Sequence, residues 1–279
     1  MGNSKKNRTE ERDRGALICE LRSAADSAAR TILPYFRHAM KIENKHPNAA
    51  DFDPVTLADR EAEKIIRQTI LARYPNDTLI GEEFDNVVGS SDYSWVIDPI
   101  DGTRAFVCGI PTWAILIGVC KHSQPLLGIM SQPVVGDIFI GGMGEGQLIS
   151  RSGSAALGTC EVDSLSDASL FATTPDMFDA SELDVFDAVS EKVKMTRFGV
   201  DSYAYCLLAA GHVELVIEAG LGFYDIAALI PIIESAGGVV SDWSGAPVRS
   251  GGRVIAAANE AIHAQALEII KTRLAAGHG

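Results

Sequence analysis

The chain has 279 residues, 47% of them hydrophobic and 22% charged, the make-up of a globular protein able to bury one large core or two coupled ones. A formal net charge of −13 sets it against nucleic acid and anionic membranes, and no apolar run approaches the roughly 20 residues needed to span a bilayer. The cysteines, Cys19, Cys108, Cys120, Cys160 and Cys206, are odd in number and form no CxxC pair, which predicts buried reduced thiols rather than disulfides or a zinc site.

In chain order, the polar start MGNSKKNRTEERDRG has no signal-peptide core and reads as a disordered lead-in over 1–15. Lys6 stands where a myristoylation signal needs Ser or Thr, so a cytoplasmic location is the default expectation. Ala, Leu and Ile recur at helical spacing from Ala16 to about Phe36, with a disturbance near Pro34. Residues 44–53 are polar and turn-rich, a mobile loop. A helix then runs from Thr56, where Thr56-x-x-Asp59 makes a variant capping box, to about Tyr74, with Pro75 and Asn76 as stop signals. Short strands follow at Thr78–Ile80, Trp95–Ile97, Trp113–Cys120, Leu126–Met130 and Asp137–Ile140, split by Gly, Pro, Ser and Asn.

Beyond about Leu170, strands and helices alternate: SLFATT, MTRF, VELVIEAG and GGVVSDW as strands; SELDVFDAVSEKV, DSYAYCLLAAGH, IAALIPIIESAGG and NEAIHAQALEIIKTRL as helices. Pro231 should disturb the first turns of the third of these helices. The fold class is therefore α+β with an antiparallel sheet in a first lobe of about 16–155, and α/β in a second of 156–279, within a single domain over 16–279. GGMGEGQ follows a strand without opening a helix, which makes it a poor phosphate loop.

Acidic residues gather where apolar strands end. Gly81-Glu82-Glu83 follows the strand TLI, and alone would be two solvated carboxylates in a turn. In Trp95-Val-Ile-Asp98-Pro99-Ile100-Asp101-Gly102-Thr103, a buried strand runs straight into two aspartates. Pro99 fixes its own φ and Gly102 permits a tight turn, so both carboxylates can face one point. Asp225 precedes an apolar helix, and Asp53 and Asp59 flank the start of another; helix capping accounts for each taken singly. As a set, hard oxygen donors at several turns without His or Cys suit Mg²⁺ rather than zinc. Bound divalent ions would also reverse the local charge of such a carboxylate set.

These residues resemble the inositol monophosphatase family. Asp98-Pro99-Ile100-Asp101-Gly102-Thr103 matches its first signature, and Gly81-Glu82-Glu83 its upstream acidic pair. Tyr224-Asp225-x-Ala-Ala with Glu234-x-Ala-Gly-Gly matches the second, except that Tyr224 replaces the usual Trp. The resemblance covers roughly residues 16–272. It implies a layered α/β/α/β/α sandwich, a homodimer, and two to three Mg²⁺ per active site. Glu82, Asp98 and the Ile100 carbonyl would hold one ion, Asp98, Asp101 and Asp225 a second, and a weaker third would sit near Glu82. Glu83 would be a supporting residue. Backbone N–H groups of Gly102 and Thr103 would receive the phosphate. The nucleophile would be a metal-activated water positioned by Glu82 and Thr103, with Asp53 partnering Thr103. Lys45 could reach in from the 44–53 loop. Haloacid dehalogenase-type chemistry is excluded, because its Asp-x-Asp-Gly-Thr motif needs one residue between the aspartates and two stand here; no aspartyl-phosphate is expected. A non-catalytic relative would have lost a ligand, and Glu82, Asp98, Asp101, Thr103 and Asp225 are all present.

For substrate choice the resemblance points to Gly199, Asp201, Ser202 and Glu218. Two carboxylates, Asp201 and Glu218, beside the leaving group suit a cationic amine better than a neutral polyol. Asp201-x-Tyr203-x-Tyr205 and Arg104-Ala105-Phe106 are similar to the histidinol-phosphate phosphatase branch, which implies histidinol phosphate and a place in histidine biosynthesis. The alternatives are inositol phosphate, or another sugar or nucleotide phosphate, with Asp201 then serving only as a helix cap.

Overall fold

A computed structural model describes residues 11–39, 41–44 and 54–276. In chain order the first half contains α1 (Arg14–Ile32), β1 (Ile42–Asn44), β2 (Pro54–Thr56), α2 (Leu57–Arg73), β3 (Thr78–Gly81), β4 (Tyr93–Asp101), α3 (Thr103–Val107), β5 (Ala114–Lys121), β6 (Gln124–Gln132), β7 (Asp137–Gly142), β8 (Glu145–Ser150) and β9 (Gly153–Ala156). The second contains β10 (Ser169–Ala172), α4 (Ala180–Ser190), β11 (Met195–Phe198), α5 (Tyr203–Ala209), β12 (Leu215–Leu221), α6 (Phe223–Ile226), α7 (Leu229–Ser235), β13 (Val239–Asp242), β14 (Gly252–Ala257) and α8 (Glu260–Ala276).

Strands β3 to β9 form one sheet in chain order, antiparallel except for the parallel β3–β4 pair. The second sheet runs β11-β10-β12-β14-β13; its first three strands are parallel and the last two antiparallel to their neighbours, so the second half is mixed rather than purely α/β. Alternation along β5 sorts its side chains into two cores. Ile115, Ile117 and Val119 pack with Leu17, Leu21 and Ile66 of α1 and α2, while Ala114 and Leu116 face a middle layer of α5 and α7. A slip of one residue would exchange the two sets, so burial fixes the register. The middle layer also covers Val216, Val254 and Ala256 of the second sheet. That sheet's far face (Leu215, Ile217, Ile255, Ala257) packs on α4 and α8. The result is the α/β/α/β/α sandwich, each fully buried Leu or Ile contributing on the order of 1.5–3 kcal/mol.

The middle helices come close to the first sheet because three glycines form a row across it. Gly118 pairs with Gly128 and Gly128 with Gly141. A Cβ at Gly128 would run into the Ala228 backbone, and one at Gly141 into Ile232. Pro231 acts as expected: the helix predicted after Asp225 is broken into α6 and α7, and Pro231 falls in the first turn of α7, where a missing N–H is tolerated.

Several expectations change. Residues 11–15 of the predicted lead-in are held in place. Asp13 caps α1 by accepting from the Ala16 N–H (2.9 Å). Arg12 grips the buried Asp77 with both guanidinium arms (2.5 and 2.7 Å) between the rings of Tyr74 and Tyr93. Charge-assisted bidentate bonding and two aromatic faces explain why so short a segment stays put. Of the predicted 44–53 loop only Asn44 is among the described residues, closing β1; Lys45 and Asp53 lie outside them. The Thr56–Asp59 capping box forms as predicted. GGMGEGQ is the β7–β8 hairpin, with Met143 and Gly144 at positive φ. Cys120 and Cys206 are buried, but Cys19 and Cys108 are exposed; all five thiols are free. Among the described residues no helix is long and apolar enough to cross a membrane.

Candidate active site

The site forms where β4 leaves the first sheet. In a regular strand, residues three apart point to opposite faces, so Asp98 and Asp101 could not meet. The pairing of β4 with β5 shifts register between them, and this irregularity turns both toward one place. Asp225, in the short α6, completes a group whose carboxylate oxygens lie within 4.8 Å of one another. One oxygen of each is fixed by a backbone N–H: Asp98 accepts from Ile100 (3.0 Å), Asp101 from Ser202 (2.9 Å) and Asp225 from Gly222 (2.6 Å). Asp225 thus does serve the helix start, through Oδ2, and remains in the cluster. Glu82, just past β3, lies within hydrogen-bonding reach of Asp98.

Burial and crowding govern the charges. Burial pushes the Asp98 carboxyl well up, and the neighbouring Glu82, Asp101 and Asp225 carboxylates push it further. Burial likewise raises Asp225, and raises Asp101 to about 7. Like charges this close are relieved only by protons or by a cation. The donors are all hard oxygens, so the residues fit a divalent ion such as Mg²⁺ better than a soft metal.

Gly102 (φ 77) turns the chain out of β4 into α3, whose first residue is Thr103. The Thr103 hydroxyl lies 3.0 Å from the Ile100 carbonyl and 3.4 Å from Asp59 Oδ1, and can donate to either. Asp53, the expected partner of Thr103, lies outside the described residues; Asp59 is the carboxylate seen beside it. Burial lifts Asp59 to about 6, with Glu83 and Glu82 adding repulsion against the hydrogen bonds from Thr56. The Glu83 N–H donates to Glu63 Oε2 (2.7 Å), which ties its segment to α2.

A pocket of about 260 Å³ opens beside the cluster, lined by Asp101, Thr103, Asp201, Ser202, Glu218 and Asp225 among others. Glu218 is buried, with one oxygen accepting from the Thr173 N–H (2.7 Å) and the other from the Tyr205 hydroxyl (2.9 Å). Burial raises it to about 7 despite those bonds. Asp201 is raised to about 6 by burial and by Glu218, with Arg104 opposing. Asp201 does not cap α5: the N-cap is Ser202, without a side-chain cap bond, and Asp201 itself is held at φ 47. The buried Ser202 hydroxyl has no hydrogen-bond partner among the described residues. Gly199 stands outside the lining; its N–H bonds the Thr173 carbonyl (3.0 Å), and its part is to brace a lining residue. Thr173 and Tyr205 were not singled out as site residues from the sequence. Each meets Glu218 from a different element, 45 and 13 residues away, and no local pattern marks such contacts.

The family model of the inositol monophosphatase family matches residues 15–275. The bifunctional phosphatase IMPL2 of Arabidopsis thaliana is 37% identical over 88% of this chain and 72% of its own length. A histidinol-phosphatase of Streptomyces coelicolor is 34% identical over 89% and 94%. The structure of an inositol monophosphatase from Zymomonas mobilis superposes with a TM-score of 0.82 at 36% identity, over 94% of this chain and 100% of that one. With the carboxylate cluster in place and the match spanning nearly the whole fold, the chain belongs to the inositol monophosphatase family, a family of phosphoric monoester hydrolases.

Proposed function

We propose that the chain hydrolyses histidinol phosphate to histidinol with Mg²⁺. One observation carries the substrate choice: Asp201 and Glu218 line the same pocket as Asp101 and Asp225. Two carboxylates beyond the cluster give a leaving group bearing an ammonium or imidazolium an opposite charge to bind, whereas a neutral polyol could offer them hydroxyl hydrogen bonds but no charge. Relatives named histidinol-phosphatase support the same reading.

Asp98, Asp101, Asp225, Glu82 and the Ile100 carbonyl would hold two to three ions. When bound there, such ions neutralise phosphate charge and make a water acidic enough to attack near neutral pH. Thr103 would orient the attacking water; its hydroxyl's contacts with Asp59 and the Ile100 carbonyl support that role. Glu82 would take the attacking water's proton as its oxygen bonds to phosphorus, while the ester P–O bond breaks and the leaving oxygen takes up a proton from bulk water. The backbone N–H groups of Gly102 and Thr103 would receive the phosphate oxygens, and Ser202 offers a hydroxyl to the leaving group. Phosphate release should be compared for L-histidinol phosphate and inositol 1-phosphate, with Mg²⁺ and with chelator. We expect a kcat/KM ratio above about a hundredfold for the amine, roughly 2.7 kcal/mol. A ratio near one, or an inverted one, would show that the two carboxylates do not read the leaving group.

A further inference from the structure

A buried ion pair lies behind the site, on α2. Glu63 and Arg67 stand one turn apart, joined at 2.7 Å, the glutamate side chain wholly enclosed and the arginine nearly so. Enclosing such a pair costs desolvation that mutual attraction does not by itself recover, so where its other hydrogen bonds go is informative. They converge on the segment just beyond β3. Arg67 donates to the carbonyls of Phe84 (3.0 Å) and Asp85 (3.1 Å). The second Glu63 oxygen accepts the Glu83 N–H (2.7 Å). At Gly81 any Cβ would enter the Glu63 carboxylate, so glycine is what lets the segment sit this close. Phe84, Val87 and Val88 of the same stretch are exposed, so little else buries it.

Glu82 lies between these attachments, with its carboxyl at Asp98. We infer that the Glu63–Arg67 pair is a positioning device: it sets the backbone of residues 83–85 so that Glu82 joins the Asp98 cluster, and thereby fixes the affinity of the cluster for its divalent ion. The inference rests on Glu82 being a metal ligand. Groups that orient ligands from behind typically change metal affinity by about 10–100-fold when altered.

Arg67→Lys keeps a cation beside Glu63 but lacks the planar fork that spans two carbonyls. Binding of Mn²⁺ to the metal-free full-length chain, measured by calorimetry, should weaken by at least about tenfold in Arg67→Lys. The Mg²⁺ concentration for half-maximal activity should rise in parallel, while kcat at saturating Mg²⁺ largely recovers. Ile70→Val, a core trim on the same helix, should leave Mn²⁺ affinity at the parental value, which separates positioning from loss of stability. Glu63→Gln, nearly isosteric, carries the same test should Arg67→Lys not fold. Glu82→Gln distinguishes the two ways of failing. If it binds Mn²⁺ as the parent does, Glu82 is not a ligand and the positioning role falls with it. If Glu82→Gln is weakened while folded Arg67→Lys or Glu63→Gln binds within about twofold of the parent, the positioning role alone is overturned.

Discussion

Asp201 shows how a single residue can be held in a costly state. Its φ of 47 lies in the left-handed region, which costs most side chains about 1–2 kcal/mol and aspartate somewhat less. Its carboxyl is also pushed up to about 6 by burial and by Glu218. Neither cost is repaid by capping, since α5 has no side-chain cap bond. Strain and a crowded charge at the pocket wall are features that a bound cation would relieve, which would give Asp201 a part in substrate binding. Asp201→Gly removes both costs, so the metal-free protein should melt roughly 2–4 °C higher. KM for histidinol phosphate should meanwhile rise about 10–100-fold, the range for losing a hydrogen bond to a charged group. Differential scanning calorimetry and initial-rate kinetics check the two halves. A higher melting point with unchanged KM would leave Asp201 a strained residue without a substrate role.

At the level of elements, the row Gly118–Gly128–Gly141 determines how near α6 and α7 come to the first sheet, and so how near Asp225 comes to Asp98. Gly128→Ala should therefore act twice. Overpacking against the Ala228 backbone costs typically 1–3 kcal/mol, and the displaced α6 should raise the Mg²⁺ requirement. Chemical denaturation and Mg²⁺ titration of the rate would show both; a destabilised variant with parental Mg²⁺ dependence would mean that Asp225 is placed by other contacts. This row was not legible in the sequence, because a glycine's neighbour across a sheet is set by pairing, not by local order. Strand β14 was missed for a related reason. GRVIAA runs into an alanine-rich helix and has weak strand propensity, yet burial on both faces in the second sheet makes it a strand. The half-buried β8 and the exposed edge strand β9 lack apolar alternation and exist by hairpin pairing. By contrast, β4 and the aspartates at its end were legible, because an apolar run closing on Asp-Pro-x-Asp-Gly is a local pattern. Glu63 and Arg67 escaped notice since their partners lie some 17–20 residues ahead, on another element.

For the molecule as a whole, the net charge of −13 and the crowded carboxylates make stability depend on pH in a direction opposite to the usual acid-labile case. In the metal-free fold Asp101 and Glu218 are raised to about 7, and Asp59 and Asp201 to about 6, with Asp98 and Asp225 also raised. Their ordinary values are 3.8 for Asp and 4.5 for Glu. The native state therefore holds more protons than the unfolded chain between those ordinary values and about 7. Stability from these groups is complete below the ordinary values and is lost as pH rises through the raised ones. His263, whose value burial lowers, works in the other sense, losing stability as pH falls. Glu43, Asp179, Asp184 and Asp242, held low by cations or hydrogen bonds, do so too, but only below the ordinary carboxylate values and so outside this range. The melting temperature in chelator should thus decline from about pH 5 to about pH 7.5. Millimolar Mg²⁺ should stabilise the fold little at the lower pH and strongly at the higher, because the ion competes with protons for the cluster. Thermal melts at both pH values, with and without Mg²⁺, test this directly. A chelated protein equally stable at both would mean that the carboxylates find relief within the fold itself, and that the cluster is not held ready for a cation.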